Sequence, residues 1–551
     1  MDDADTIGTG PGSRTPAEEA ALDDGRPGSA RTRALARAGI TVTLLFLASR
    51  VLGYVRYVVI AAGVPDVSQL DAFFAAFRIP DFLFQLVAAG ALSSALIPVL
   101  AGLFANEQAA RAWRVVSTVT TLMLSALLVL AAVVLVAAPQ LVAFITPGFG
   151  PEQVAETAEL TRIMVLSPLF LAAGAVATSV LNARGHFGVA ALAPLVYNTA
   201  IILGALVLVP ALGVSGLAIS VVLGALGHVL VQLPMVARIG ARIRPRIDLH
   251  DEAARTALVL MAPRAIGLGF TQIVFVVMTG LASTLGAGAI SVFSFAFAVL
   301  QIPIGVIGVP LGVVLLPSLS REAAIGGTEA FRRLLVRGLS MLAYVMVAIT
   351  ALGIVVAEDV TRLLFDHGGI GEDALELTAT ALAVFLLGLP AHSMIAVVAR
   401  AFYALQDTRT PVAAAVFAVF VNILVAVVLV VPLGVAGLAA AIAVGAWLEL
   451  GLLVFLLRRR IPDLGLRHVA VVMGKALIAS VAGGAVAWAV YQGLLGSWGE
   501  APGFLLLLVR ATLTIVSGGV VILAVSVALR IEELRTIVGL VVDLVRRKGR
   551  A

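Results

Sequence analysis

The sequence has no cysteine, and only 13% of its 551 residues are charged. The first absence excludes disulfides and thiolate mechanisms. The second separates it from soluble domains, in which about 25% of residues are charged. It also lacks a GxxxxGK[ST] phosphate loop, a GxSxG nucleophile elbow and any His/Asp/Glu group at metal-ligand spacing. ATP hydrolysis, covalent catalysis and a resident metal are therefore not expected, and no residue is given a catalytic role. The chain reads as a protein that is not an enzyme.

What is present is apolar. Hydrophobic residues make up 61% of the chain, and runs of about 20 of them recur, each able to cross a hydrocarbon core about 30 Å thick. The expected fold class is an all-α polytopic membrane protein with about fourteen transmembrane helices. Spans are expected near 36–62, 72–103, 113–138, 154–183, 187–209, 213–237, 255–284, 287–317, 338–357, 375–398, 411–432, 435–457, 468–494 and 504–530. The loops check that count. Alternate loops carry Arg111 and Arg114; Arg184; Arg238 to Arg246; Arg321, Arg332 and Arg333; Arg400 and Arg409; and Arg458 to Arg460. The others carry no Lys or Arg except Arg362. By the positive-inside rule the arginine-bearing loops and both termini are cytoplasmic. The net charge of +5 is read as this topology signal, not as nucleic-acid binding.

Residues 1–34 are polar and aperiodic and read as a disordered cytoplasmic tail. A repeat follows. VYNTAIILGALVLVPALGVSGLA at 196–218 is echoed by VNILVAVVLVVPLGVAGLA at 421–439, matching Asn198 with Asn422, Pro210 with Pro432, Gly213 with Gly434 and Gly216 with Gly437. Two six-helix lobes are expected, 35–237 and 255–457, joined by a basic cytoplasmic linker at 238–254. An even number of spans per lobe relates them by a pseudo-two-fold along the membrane normal, with a site between them. Spans thirteen and fourteen, 458–530, lie outside the repeat. Residues 531–551 read as a cytoplasmic amphipathic tail.

The stretch Ser49–Leu100 carries the unusual chemistry. Arg50, Arg56, Asp71, Arg78 and Asp81 lie in or beside spans one and two, where each charge costs roughly 2.5–3.5 kcal/mol. At about 1.5 Å per residue, Arg50 falls near the midplane, Arg56 and Asp71 near the outside, and Arg78 and Asp81 between. Arg264 follows Pro263 at similar depth in span seven. Two readings stand: Arg78 and Asp81 neutralise each other across one turn, or Arg50, Arg56, Arg78 and Arg264 form an anion site suited to phosphate oxygens. Arg56 and Asp71 are also expected to pair as an outer gate. Gln272, Gln301, His228, His392, Glu449 and Lys475 are isolated and read as satisfied buried groups.

SRVLGYVR, DAFFAAFRIPD, GALSSALIPVL and IPIGVIGVPLGVVLLPSLS resemble the MurJ (MviN) lipid II flippases, relatives of the MATE multidrug exporters in the MOP superfamily. The resemblance spans about 35–530. It implies an alternating-access carrier in the bacterial cytoplasmic membrane that moves lipid II, the undecaprenyl-pyrophosphate-linked peptidoglycan precursor, from the inner to the outer leaflet. The rival functions are a MATE-like drug exporter, a flippase for another lipid-linked oligosaccharide, and a membrane scaffold. The implied partners are lipid II, membrane lipids and proteins of cell-wall synthesis or division. No cofactor is expected, the drive being the membrane potential or a monovalent ion. Family cavity arginines fall at Arg50 and Arg56, the family outer acid at Asp71 and a family basic residue at Arg78. Other family positions depart: Phe84 and Ala298 stand for arginines, Ala89 for a glutamate, and Met278 for an acid that helps bind sodium. Arg264 is the expected compensation.

Overall fold

The computed structural model describes residues 28–64, 66–87, 91–367, 370–499, 503–536 and 539, with side chains omitted at 28–43, 91–94, 262–264 and 266–267. The sequence-expected tail before residue 28, most of the tail after 536, Ala89 and the Arg264 side chain lie outside the described residues.

Helices occupy every expected segment. Ten of the described helices are long and apolar enough to cross a membrane, or eleven if the bent pair Glu372–Leu386 and Leu389–Ala404 is one span. One of the ten, Arg409–Arg460, has 52 residues, about 78 Å at 1.5 Å per residue, far more than one membrane crossing. It is broken at Gly434, where φ is 55° and ψ −134°. Only glycine adopts such a conformation without strain. The halves then pack on each other: a Cβ at Gly437 would lie 2.2 Å from the Leu429 carbonyl oxygen, and one at Gly445 would meet Asn422. Spans eleven and twelve are this hairpin.

The first lobe repeats the device. Gly213 has φ 60° and ψ −150°, and a Cβ at Gly216 would lie 2.5 Å from the Leu208 carbonyl oxygen. The glycines matched in sequence thus serve one geometry twice. Close backbone approach through small residues is how helices associate where lipid removes the hydrophobic driving force.

Contacts sort the loops into two faces. On one, Arg111 of loop 2–3 binds Asp251 of the linker at 2.9 Å, Arg332 binds Asp463 at 3.1 Å, and Arg460 binds Asp407 at 2.6 Å. The linker runs along span three, its Arg244, Arg246 and Asp248 amides donating to the Ser117, Thr121 and Thr118 hydroxyls. The hydrogen bond from Arg111 holds the Asp251 carboxyl below the usual carboxylate range. On the other face, loop 1–2 meets the start of span eight, and the Gly148 amide donates to Ser283. These are the two sets of loops that arginine content separates.

A buried polar cluster fastens spans thirteen and fourteen to the second lobe at this second face. Arg510 and Asp359 are both fully buried and joined at 2.5 Å. Arg510 also donates to the Gly499 carbonyl at 2.6 Å. Nearby, Arg362 binds Glu358 at 3.1 Å and also Glu372.

Candidate functional site

A cavity of about 350 Å³ lies between the lobes. Spans one and two contribute Arg56, Arg78 and Asp81, span seven Gln272, and span eight Ser294 and Gln301. Tyr57, Phe73, Phe74, Phe77, Phe275, Phe293 and Phe297 form much of the remaining wall. The rings interlock, Phe74 standing edge-on to Phe295 at 5.4 Å and Phe275 to Phe297 at 5.1 Å, so the polar groups project from a stiff aromatic frame.

Arg78 reaches from the first lobe into the second. Its Nε donates to Thr279 Oγ1 at 3.0 Å, its Nη2 to Ser294 Oγ at 3.4 Å, and its guanidinium lies 5.5 Å from the Phe275 ring centre. Arg56 sits over Tyr57 and Tyr197, at 5.3 and 5.9 Å from the ring centres. Among the described residues, no carboxylate comes within 4.0 Å of either guanidinium. Asp81 is not the partner of Arg78: its Oδ2 accepts from Gln272 Nε2 at 2.6 Å. Of the two sequence readings, the Arg78–Asp81 one is weakened: the two make no direct ion pair, though each still lies in the field of the other. Gln272, read from sequence as an isolated buried amide, instead holds the one cavity acid in place, and Gln301 faces the same space.

The expected Arg56–Asp71 pair is also absent. Asp71 is fully buried and engaged elsewhere. Its Oδ2 accepts from the Gly288 amide at 2.6 Å, and its Oδ1 from the Ser291 amide and hydroxyl, each at 2.7 Å. Gly288 is the N-cap of span eight and has no side chain to cap it. Asp71 supplies that cap from the other lobe, and its charge meets the positive end of the helix dipole. The contact thus joins the lobes at the second face, with helix amides where the sequence suggested arginine.

Arg50 is exposed and does not line the cavity. It crosses span eight at the π-helical turn Ile304–Gly308, so tightly that a Cβ on Gly305 would lie 2.1 Å from its Nη1. Gly305 is one turn past Gln301, which places Arg50 just beyond the cavity floor, toward the face of the arginine-bearing loops. A π turn within an α-helix often marks a functional site. At the departing positions, Met278 is fully buried and Ala298 nearly so, while Phe84 packs against a second apolar core.

This arrangement sets two guanidiniums without ion-pair contacts near one carboxylate in an aromatic cleft, leaving one positive charge in excess. It suits a ligand with anionic oxygens: Arg forks match phosphate geometry, and burial strengthens the attraction.

The family described as Lipid II flippase MurJ matches residues 65–508. The chain is 34% identical over 460 residues to the lipid II flippase MurJ of Burkholderia cenocepacia, covering 81% of this chain and 88% of that protein. It is 30% identical over 477 residues to a probable lipid II flippase MurJ of Haemophilus influenzae, covering 82% and 92%. Among solved structures it resembles lipid II flippase MurJ in an inward closed conformation, with a TM-score of 0.74 at 22% identity, covering 89% of this chain and 99% of that one. It also resembles an inward-facing MATE multidrug transporter of the MOP superfamily, with a TM-score of 0.61 at 16% identity, covering 76% and 95%.

Proposed function

The chain belongs to the MurJ family of lipid II flippases, and from that premise we propose that it carries lipid II from the inner to the outer leaflet of the bacterial cytoplasmic membrane by alternating access. It is a multi-pass membrane protein and acts as a carrier, not as a catalyst of covalent change.

In this reading the pyrophosphate and sugars enter between the lobes while the polyprenyl chain stays in lipid. Arg50, at the cytoplasmic side of the cavity, meets the pyrophosphate first. Arg56 and Arg78 hold it inside, joined by Arg264 of span seven. Asp71, at the start of span two, caps span eight and keeps the outer side shut until the lobes rock. A potential negative inside favours outward passage of anionic charge by about 2.3 kcal/mol per charge per 100 mV. Both termini and the linker are cytoplasmic. A cysteine at Ser497 labelled from outside and one at Arg244 labelled only from inside test that orientation.

The observation that carries the reading is the pair of cavity arginines without carboxylate partners, Arg56 and Arg78. The test is transfer of fluorescent lipid II across vesicles containing the purified protein. Arg56→Ala and Arg78→Ala are each expected to reduce transfer by about tenfold or more, the loss of one charge-assisted contact worth about 1.5–3 kcal/mol. Full transfer by both variants refutes the site.

A further inference from the structure

A second cavity, of about 560 Å³, opens where the first turns of spans nine and thirteen meet the helical turn beginning at Glu532. It lies at the face of the arginine-bearing loops and shares no lining residue with the cavity between the lobes. Ile531 and Leu534 anchor the turn against Tyr344, Val347, Val472 and Ala476.

The walls of this cavity carry both signs of charge. On the helix Thr328–Val355, which leads into span nine, Arg333 and Arg337 stand one turn apart and exposed. Arg333 is held by Glu329 at 3.1 Å, and Arg337 has no ion pair or hydrogen bond among the described residues. Opposite them are Glu532, exposed, and Glu533, only 7% exposed. One of the Glu533 oxygens meets His468 Nε2 at 3.1 Å, while the other, Oε2, is buried and has no partner.

A carboxylate oxygen buried without a donor is destabilising and calls for an N–H or O–H. An open arginine beside it calls for an anion. Phosphate alone would meet the arginines but face the Glu533 charge. An amine alone would satisfy Glu533 and leave Arg337 open. A phosphodiester with a primary ammonium two carbons away answers both.

The cavity sits at the membrane boundary. Arg337 is the last residue before the apolar run of span nine, and Val336 and Met341 continue the lining toward that run. We propose that this cavity binds the headgroup of an aminophospholipid of the cytoplasmic leaflet, with its phosphate on Arg333 and Arg337, its ammonium on Glu533 and its acyl chains along Val336 and Met341. The assignment is independent of what passes between the lobes.

The test uses the purified full-length chain, stripped of phospholipid in detergent, with three probes: dihexanoyl phosphatidylethanolamine, dihexanoyl phosphatidylcholine and free phosphoethanolamine. The ethanolamine lipid is expected to bind about tenfold tighter than either other probe, since choline has no N–H to donate and the free headgroup has no chains. Arg337→Ala, at an exposed position that leaves the fold intact, is expected to remove about tenfold of its affinity. Glu533→Gln is expected to bring the two lipids to parity. Equal binding of the two lipids by the unaltered protein overturns the proposal. So does free phosphoethanolamine binding as tightly as the lipid, which would make the ligand soluble, or unchanged lipid affinity in Arg337→Ala.

Discussion

Two groups of deep arginines in this protein are built in opposite ways. At the face opposite the arginine-bearing loops, Arg510 lies fully buried against Asp359, and Arg362 binds Glu358 and Glu372. Between the lobes, Arg56 and Arg78 touch hydroxyls and aromatic rings, and the one cavity acid, Asp81, lies near them without direct ion-pair contact. In the first group each guanidinium has at least one carboxylate partner, and no anionic ligand is needed to complete it. In the second, two cations share one carboxylate that touches neither, so the fold supplies less counter-charge than it buries. Such an arrangement persists where something else brings the charge. The lesson is that depth and residue type do not separate a structural arginine from a binding one; direct contact with an acid does.

The largest expected effect comes from breaking the matched group. Arg510→Ala leaves Asp359 buried and unpaired, which costs about 3–5 kcal/mol. Thermal unfolding in detergent is expected to show a marked loss of folded protein, and replacing both partners with leucine is expected to recover much of it. A variant as stable as the parent would remove the contrast from that side.

The converse change makes the cavity resemble the cluster. Ser294 Oγ is 3.4 Å from Arg78 Nη2, so Ser294→Asp supplies the missing carboxylate. Lipid II transfer is expected to fall about tenfold or more while stability holds, because the new pair neutralises the charge that the substrate needs. Undiminished transfer would mean that an open cation at Arg78 is not what the site requires.

Asp71 stands between the two groups, buried and satisfied yet joining the lobes. Asp71→Ala uncaps span eight, a loss of about 0.5–2 kcal/mol, and is expected to raise outside labelling of a cysteine at Ala75. The exchange Arg56→Asp with Asp71→Arg is expected to fail to restore closure, because amide donors cannot pair with an arginine. Recovery of protection in the double variant would reinstate Arg56 as the partner.

These cases show what was legible in the sequence. Hydropathy, loop arginines and the glycine repeat revealed the helical architecture, since each reflects a constraint that every such fold must meet. Arg56 and Arg78 were legible because charge at depth is costly. The partner of Asp71 was not: a helix N-terminus offers backbone amides, which leave no mark in residue identity. Gln272 looked isolated because its partner Asp81 lies 191 positions away in the chain. Arg510, alone at the start of an apolar helix, looks in sequence much like Arg78, and only the fold places Asp359 against it.

The smallest expected effect concerns Arg50. Gly305→Ala would set a methyl within 2.1 Å of its Nη1 and force the guanidinium aside. Transfer is expected to fall a few-fold with little change in stability, since a flexible side chain relieves the clash. No change would place Arg50 off the substrate path.

The central claim is that the open arginines bind the pyrophosphate. It is tested most directly by measuring lipid II binding and thermal unfolding on the same preparations of the parent and the Arg56→Ala/Arg78→Ala double variant. The double variant is expected to unfold near the parent temperature and to lose at least about tenfold in affinity. Parent-like affinity in a folded double variant would contradict it.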